Sequence, residues 1–240
     1  MLALLAPTPV RAALAIMAED DAAPWAQRDG SGAAIEIVKA AFDAAGVDIE
    51  IHTVAYSRCK HMVLSGQVAG CISMSADAAL TDRVMFADQP LYRVRSQYFH
   101  NPQRPLLARN EAEIPRGAVV GIVTGYEYPV SVTELALRGI KLETAASESA
   151  NLKKLAAGRI DAAVANLDSF KTADFLMRSA QVQNTVAPLF SSSDFGSYIG
   201  FSRGHPQGEL ARDKFNEGYA RITRDGTLKL IMTRWQNLRR

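Results

Sequence analysis

The chain has 240 residues, of which 48% are hydrophobic and 22% are charged, a composition typical of a globular protein with a substantial core. Its 27 basic and 25 acidic residues leave a net charge of +2, which excludes the dense basic face that nucleic acid requires. A chain of this length forms either one large domain or two domains of about 100 residues. The order of the helices and strands has to decide between one domain and two.

Residues 1–17 are the one candidate for an apolar span. Pro7, Pro9 and Arg11 interrupt it before it reaches the roughly 18 apolar residues that cross a bilayer. The segment instead resembles the apolar part of a secretory signal without its positively charged start. We therefore expect residues 1–12 to be a signal-peptide remnant, or else a disordered tail, and the protein to be exported to the periplasm.

The apolar patterns that follow alternate between strand and helix spacing. Ser31 is a candidate N-cap for the first helix, and Gly46 is placed to end it. This alternation predicts a parallel sheet covered by helices. The predicted elements are a strand over 14–20, a helix over 31–46, a strand over 49–54, a helix over 58–64 and a strand over 68–74.

A second series of the same kind begins after the proline-rich stretch at 101–105. Its helix, glycine and strand around Gly158 repeat those around Gly66, 92 residues earlier. The repeat predicts two lobes of similar build. The elements of the second series are a strand over 118–123, a helix over 130–138, a strand over 141–146, a helix over 149–157 and a strand over 159–166.

The tail is predicted to contain a strand and turn over 197–206 and helices over 209–222 and 227–235. If the tail packs on the first lobe, the chain crosses between lobes near 97–102 and near 189–193. The predicted fold is therefore α/β, with two Rossmann-like lobes joined by a two-strand hinge around a cleft for a small ligand. The first lobe comprises 13–98 plus 191–240, and the second comprises 99–190.

The two cysteines, Cys59 and Cys71, are too few for a disulfide framework. They form either one bridge or two buried thiols, and the second alternative is slightly favoured. The four histidines are scattered without the spacing of metal ligands, so neither a metal nor a cofactor is expected.

Several segments, taken in order, resemble the periplasmic solute-binding proteins of polar amino acid ABC transporters, family 3, which have the type II periplasmic binding fold. The motifs YSRCKHMVLSGQVAG and GYEY resemble a less characterised proteobacterial branch of that family, for which the resemblance supplies no ligand. The segments that carry the resemblance are APW at 23–25, VLSGQVAGCISMS at 63–75, FADQPLY at 86–92, VVGIVTGYEY at 119–128, LKKLAAGRIDAAVANLDS at 152–169 and the ending at 195–235.

The resemblance implies that an arginine of the first lobe holds the carboxylate of the ligand, since a guanidinium matches a carboxylate in a planar, bidentate way. Arg83 is the candidate, although a gapless register places Leu80 at that position instead. Ser73 and Ser75 match positions that offer hydroxyl groups at the end of the third strand, where open α/β sheets bind ligands.

From the second lobe, Gly125 and Tyr126 are expected to begin a helix whose free N–H groups suit an anion. The family grips the ligand's amine with an aspartate at the end of the strand 159–166, but this chain has Asn166 there. An amide cannot neutralise an ammonium group, so an ordinary α-amino acid ligand is put in doubt.

Four carboxylates are candidates to supply that missing charge, namely Asp168, Glu127, Asp21 and Glu19, although most exposed carboxylates are merely solvated.

Trp25 and Tyr56 are candidates to line the cleft, because flat rings add contact area at small entropy cost. The alternative for either residue is a position in the hydrophobic core. Arg58, two residues after Tyr56, reaches the cleft or pairs on the surface.

These residues and the resemblance predict a monomeric binding protein that closes on a small polar or anionic solute, such as an amino acid or related carboxylate. Its partner is the permease of an ABC transporter or a membrane sensor. The alternative is an enzyme on the same fold, a cyclohexadienyl (prephenate or arogenate) dehydratase, but no positioned acid and base pair stands out in the sequence.

Overall fold

The computed structural model describes residues 13–238. The predicted signal remnant, residues 1–12, lies outside this range. Within it the strands are β1 Leu14–Glu19, β2 Asp21–Ala22, β3 Ala26–Gln27, β4 Ile49–Val54, β5 Gly70–Ser75, β6 Val84–Phe86, β7 Tyr92–His100, β8 Val119–Val123, β9 Lys141–Ala145, β10 Ala162–Leu167 and β11 Ala187–Ser202. The helices are α1 Ala33–Ala44, α2 Tyr56–Leu64, α3 Val130–Thr133, α4 Glu148–Ala156, α5 Ala173–Ser179, α6 Gly208–Arg224 and α7 Thr227–Asn237.

One nine-stranded sheet runs through the described residues in the order β4-β1-β5-β11-β7-β10-β8-β9, with β6 paired to β11. At one end β4, β1 and β5 are parallel, and at the other end β9, β8 and β10 are parallel. We call the first half, with β6, the first lobe and the second half the second lobe. The α/β fold class predicted from the sequence is confirmed.

The long strands β7 and β11 join the two lobes. They pair with each other in antiparallel fashion, while β7 also pairs with β10 of the second lobe and β11 with β5 of the first. Both segments predicted to cross between lobes, near 97–102 and 189–193, overlap this strand pair. The lobe bounds drawn from the sequence stay a prediction, and Phe170, within 99–190, packs in the core of the first lobe.

The 92-residue repeat is visible in the structure. Helices α2 and α4 have the same length and begin 92 residues apart, and β5 and β10 also begin 92 residues apart. Gly66 and Gly158 both have a positive φ, of 75° and 67°, where the chain leaves each helix. Glycine adopts this left-handed conformation without steric cost, so each helix ends at the same point before its strand.

Helices cover both faces of the sheet in each lobe. In the first lobe α1 and α6 lie on one face and α2 on the other. Helices α1 and α6 approach so closely that a Cβ atom on Gly218 would lie 1.7 Å from the carbonyl oxygen of Ala41. Because both faces of the sheet are covered, all six residues of β10 and four of the six residues of β5 are buried.

The structure differs from the predicted elements at several helices. Helix α1 begins after Gly32 rather than at Ser31, because the Asp29 side chain accepts hydrogen bonds from the backbone and hydroxyl of Ser31 and holds it in a turn. Helix α3 ends at Thr133, and a short 3-10 turn continues to Arg138. Helix α5 was absent from the sequence prediction.

Cys59 and Cys71 form a disulfide bond, with their Cα atoms 5.7 Å apart. The slight preference for two buried thiols was therefore wrong. Helix α2 packs its buried face on β5, and this brings the two residues to the separation that a disulfide needs.

No helix within residues 13–238 is long and apolar enough to cross a membrane.

Reducing the disulfide is expected to lower the free energy of unfolding by about 3 kcal/mol, because it closes a loop across a sequence separation of 12 residues. Denaturant unfolding of the oxidised and reduced protein measures the difference. The Cys59→Ala/Cys71→Ala variant is the control, since reductant has no bond to break in it. Equal stability of the oxidised and reduced wild type would contradict the expectation.

Candidate functional site

The carboxyl ends of the parallel strands in both lobes meet across a small buried cavity, as is usual for ligand sites in open α/β sheets. Its volume is about 30 Å³, which is the share of one water molecule in the liquid. The residues that line it are Glu19, Ala22, Tyr56, Ser73, Ser75, Tyr92, Val94, Tyr126, Glu127, Asn166, Lys171, Phe195 and Ser197.

Glu127 of the second lobe extends its carboxylate into the first lobe. Its Oε2 atom accepts a hydrogen bond of 2.5 Å from the Tyr56 hydroxyl and one of 3.1 Å from the backbone N–H of Ser75. Lys60 Nζ lies 2.7 Å from Oε1 and also donates to the carbonyl oxygen of Gly125. Lys60 thus forms an ion pair with Oε1, and we call Glu127 with Tyr56, the Ser75 N–H and Lys60 the Glu127 cluster.

The cluster is buried, since only 5% of the Glu127 side chain is exposed. Burial raises the pKa of the Tyr56 hydroxyl well above its ordinary value, and the neighbouring Glu127 raises it further. Tyr56 therefore stays a hydrogen-bond donor at neutral pH. Hydrogen bonds to a charged acceptor in such a site are stronger than those between neutral groups.

Glu19 ends β1 on the opposite wall of the cavity and is 2% exposed. The Tyr126 hydroxyl, from the second lobe, contacts both of its carboxyl oxygens at 2.8 and 2.9 Å. Burial raises the pKa of Glu19 to about 8, while the hydrogen bond from Tyr126 lowers it in part. Glu19 thus holds a proton at neutral pH.

Trp25 and Asp168 form a third contact between the lobes. The Trp25 indole N–H donates to Asp168 Oδ2 at 2.6 Å, and Asp168 also accepts from the backbone N–H groups of Phe170 and Lys171. The Trp25 ring stacks on Tyr92 with centroids 3.8 Å apart and planes 7° apart. Trp25 is thus a buried wall behind Tyr92 rather than a lining residue.

Lys171 and Glu148 form a buried ion pair at 2.7 Å beside the cavity. Burial lowers the pKa of Lys171, but Glu148 outweighs this effect and leaves the pKa above its ordinary value. Glu148 also accepts the backbone N–H of Asn166, and the Asn166 side chain accepts from Ser96. The positive charge of Lys171 is therefore compensated within the chain.

Seven of the residues named from the sequence line the cavity. They are Tyr56, Ser73, Ser75, Tyr126, Asn166 and two of the candidate carboxylates, Glu19 and Glu127. Asp21 is exposed and borders a separate depression beside Glu148. Arg58 is exposed on α2.

Arg83 is exposed just before β6 and is not among the lining residues of the cavity. Its role in holding a carboxylate stays a prediction, which the geometry of the cavity does not support.

Gly125 and Tyr126 do not begin a helix, because α3 starts only at Val130 and has four residues. The expectation of an anion site at free helical N–H groups was wrong at this point. Gly125 instead has a φ of 86° and lies against α2, where a Cβ atom would come within 3.1 Å of Ser57. This close approach lets Lys60 reach the Gly125 carbonyl group.

Four residues of the site, Lys60, Tyr92, Glu148 and Lys171, are not predicted from the sequence. The spacing of Lys60 could have indicated its place in the site, because it lies four residues after Tyr56 and therefore on the same face of α2. The pairing of Glu148 with Lys171 joins the start of α4 to the turn after β10, and no local pattern reports a contact of that kind.

A second, open pocket of about 420 Å³ adjoins the cavity on the far side of Glu127. Tyr128, Phe195 and Tyr198 are among its walls, and Glu127, Ser75 and Phe195 line both spaces. Glu127 therefore stands between the buried cavity and the outer pocket.

The model of the bacterial extracellular solute-binding proteins, family 3, matches residues 14–237. No curated protein matches the chain.

Several solved structures share its fold. A histidine kinase sensor domain with similarity to periplasmic binding proteins superposes with a TM-score of 0.79 at 21% identity, over 93% of this chain and 95% of that one. An ancestral arginine-binding protein bound to arginine superposes with a TM-score of 0.78 at 20% sequence identity, over 94% of this chain and 98% of that one. An ancestral amino acid-binding protein described as a precursor of cyclohexadienyl dehydratase superposes with a TM-score of 0.74 at 17% sequence identity, over 93% of this chain and 94% of that one.

Replacing Glu19 by Gln is expected to change how stability depends on pH. Between the ordinary pKa of 4.5 and about 8, the folded wild type keeps a proton that the unfolded chain has released, so its free energy of unfolding falls as pH rises. The loss amounts to about 1.4 kcal/mol per pH unit and is complete above about pH 8. Glu19→Gln removes this loss.

Denaturant unfolding from pH 5 to pH 9 measures the effect, with the exposed Glu134→Gln as the matched control. The charged groups that act on Glu19 are Lys171, Glu148 and Asp21, and the Tyr126 hydroxyl donates a hydrogen bond to it. Both variants keep all four residues. An identical pH slope in Glu19→Gln and the wild type would contradict the assignment of the proton to Glu19.

Proposed function

This chain belongs to family 3 of the bacterial extracellular solute-binding proteins, and we propose that it closes its two lobes on a small polar solute and presents the closed form to a membrane partner. The observation that carries the proposal is the set of contacts between lobes around one polar cavity. Trp25 with Asp168, Tyr56 with Glu127, and Glu19 with Tyr126 each join a residue of one lobe to a residue of the other.

These contacts belong to a closed arrangement, because parting the lobes would separate every one of the three pairs. Opening would return Glu127 and Asp168 to water, which compensates for part of the lost bonding. The free-energy difference between the open and closed forms is then small enough for a solute to shift the equilibrium, provided that the solute binds the closed form better. The β7–β11 strand pair supplies the hinge for such a motion.

The partner we propose is the permease of an ABC transporter, in the periplasm, as the family of extracellular solute-binding proteins suggests. The Cys59–Cys71 disulfide supports an oxidising compartment outside the cytosol. A monomer in solution is sufficient for this role, since both walls of the cavity come from one chain.

A second candidate is the ligand-sensing part of a signalling system. The similarity to a histidine kinase sensor domain favours it, because that domain has the same fold over nearly its whole length. Both candidates share the binding step and differ only in which membrane protein contacts the closed form.

A thermal-shift screen with amino acids, organic acids and polyamines tests the binding step. A solute at 100 times its Kd is expected to stabilise the protein by about 2.7 kcal/mol, because it binds the folded form alone. Small-angle scattering of the protein with and without that solute then reports closure as a smaller radius of gyration. If no solute in the three classes shifts the melting temperature, the proposed function fails.

Incubation with prephenate separates binding from catalysis. Glu19 holds a proton in the cavity, as a general acid would, but the site offers it no partnering base within the Glu127 cluster, whose carboxylate is committed to three donors. We therefore expect no phenylpyruvate to form beyond the rate without protein. Turnover that is lost in Glu19→Gln would replace the binding proposal with a dehydratase.

A further inference from the structure

The carboxylate of Glu127 lies among groups of the first lobe that together form a binding site for a carboxylate. Three donors of the first lobe converge there, each of a different kind: a tyrosine hydroxyl, a backbone N–H at the end of a strand, and a lysine ammonium group. Such a set of neutral and charged donors is what a carboxylate needs when it is taken out of water. Here the carboxylate comes from the chain itself.

A solute carboxylate in this position would have to displace Glu127. It would otherwise lie beside a second negative charge in a buried site, which disfavours the ionised form of both groups. No arginine is among the lining residues of the cavity, and the remaining lysine, Lys171, is paired with Glu148. The lining of this cavity therefore offers no unpaired lysine or arginine to a second carboxylate.

The opposite wall of the cavity has the chemistry of a cation site. Glu19 is buried, and the contact to its carboxyl group comes from the Tyr126 hydroxyl. The rings of Tyr56, Tyr92 and Tyr126 line the same space. Tyrosine faces attract ammonium groups, and an ammonium group beside Glu19 favours the ionised form of its carboxyl group, so binding of the cation releases the proton that Glu19 otherwise holds.

We propose that the cleft selects solutes that carry an ammonium group but no carboxylate, with Glu127 filling the carboxylate position and Glu19 with the tyrosines receiving the cation. This inference rests on the proposed function and names the class of its solute. It places the specificity in Glu127, which excludes amino acids while admitting the corresponding amines. The cavity of about 30 Å³ is smaller than any organic amine, so binding of an amine requires a less complete closure of the lobes than the one seen here.

Pairs of compounds that differ only in the carboxylate test this selection. The probes are methylamine against glycine, ethanolamine against serine, putrescine against ornithine, and agmatine against arginine. Isothermal titration and thermal shift on the wild-type protein are expected to show binding of at least one amine. Its parent amino acid is expected to bind at least 100-fold more weakly.

The Glu127→Ala variant frees the Tyr56 hydroxyl, the Ser75 N–H and Lys60 for a solute carboxylate. We expect the preference for the amine over its parent amino acid to fall at least tenfold. Glu134→Ala is the matched control, since Glu134 is exposed and seven residues away, and it is expected to keep the wild-type preference. Circular dichroism establishes that each variant is folded, and the wild-type comparison stands even if Glu127→Ala is not.

Each remaining outcome decides the question. Wild-type binding of a parent amino acid as tightly as its amine overturns the inference and leaves the proposed function intact. An unchanged preference in folded Glu127→Ala overturns the role of Glu127. Binding of organic acids alone overturns the inference, and the absence of binding by every solute class overturns both the inference and the proposed function.

Discussion

The structure depends on compensation of buried charge across the gap between two lobes. Each lobe places polar groups at the inner end of its strands that its own residues satisfy only in part. The Glu127 carboxylate of the second lobe finds its donors in the first, and the Trp25 indole N–H of the first lobe finds its acceptor in Asp168 of the second. Leaving one such group buried without its partner would cost more than the contact itself contributes.

The symmetry of the fold explains why these groups face one another. The helix and strand of each lobe recur with the same lengths at a spacing of 92 residues, and the strands β5 and β10 both end at the central gap. Because the long strands β7 and β11 lie side by side between the lobes, they hold the two carboxyl edges opposite each other. A cavity walled by strand ends follows from the topology, and the side chains decide what it binds.

Much of the architecture was predictable because it is local. Apolar spacing placed β1, β4 and β8 within a few residues, and the glycines that end helices marked the repeat around Gly66 and Gly158. Family membership followed from the order of short motifs and is confirmed by the match over residues 14–237. Helix α5 escaped prediction because its seven residues are too few to show a helical repeat of apolar positions.

The site was predictable only in part, because its decisive contacts are between residues far apart in the chain. Ser73, Ser75 and Asn166 follow from their positions at strand ends, which the sequence marks. The pairing of Glu127 with Tyr56 spans 71 residues, and that of Trp25 with Asp168 spans 143. No local pattern reports these pairings, so the sequence identifies Glu127 only as one of four candidate carboxylates and not as the residue that contacts Tyr56, Ser75 and Lys60.

The disulfide connects the stability of the first lobe with this chemistry. Helix α2 carries Tyr56 and Lys60 on either side of Cys59, and β5 carries Cys71 four residues before Ser75. The bond therefore fixes the helix that supplies two of the Glu127 donors to the strand that supplies the third. Since a shift of about 1 Å in such donors weakens a buried hydrogen bond severely, a covalent link between α2 and β5 preorganises the carboxylate position as well as stabilising the lobe.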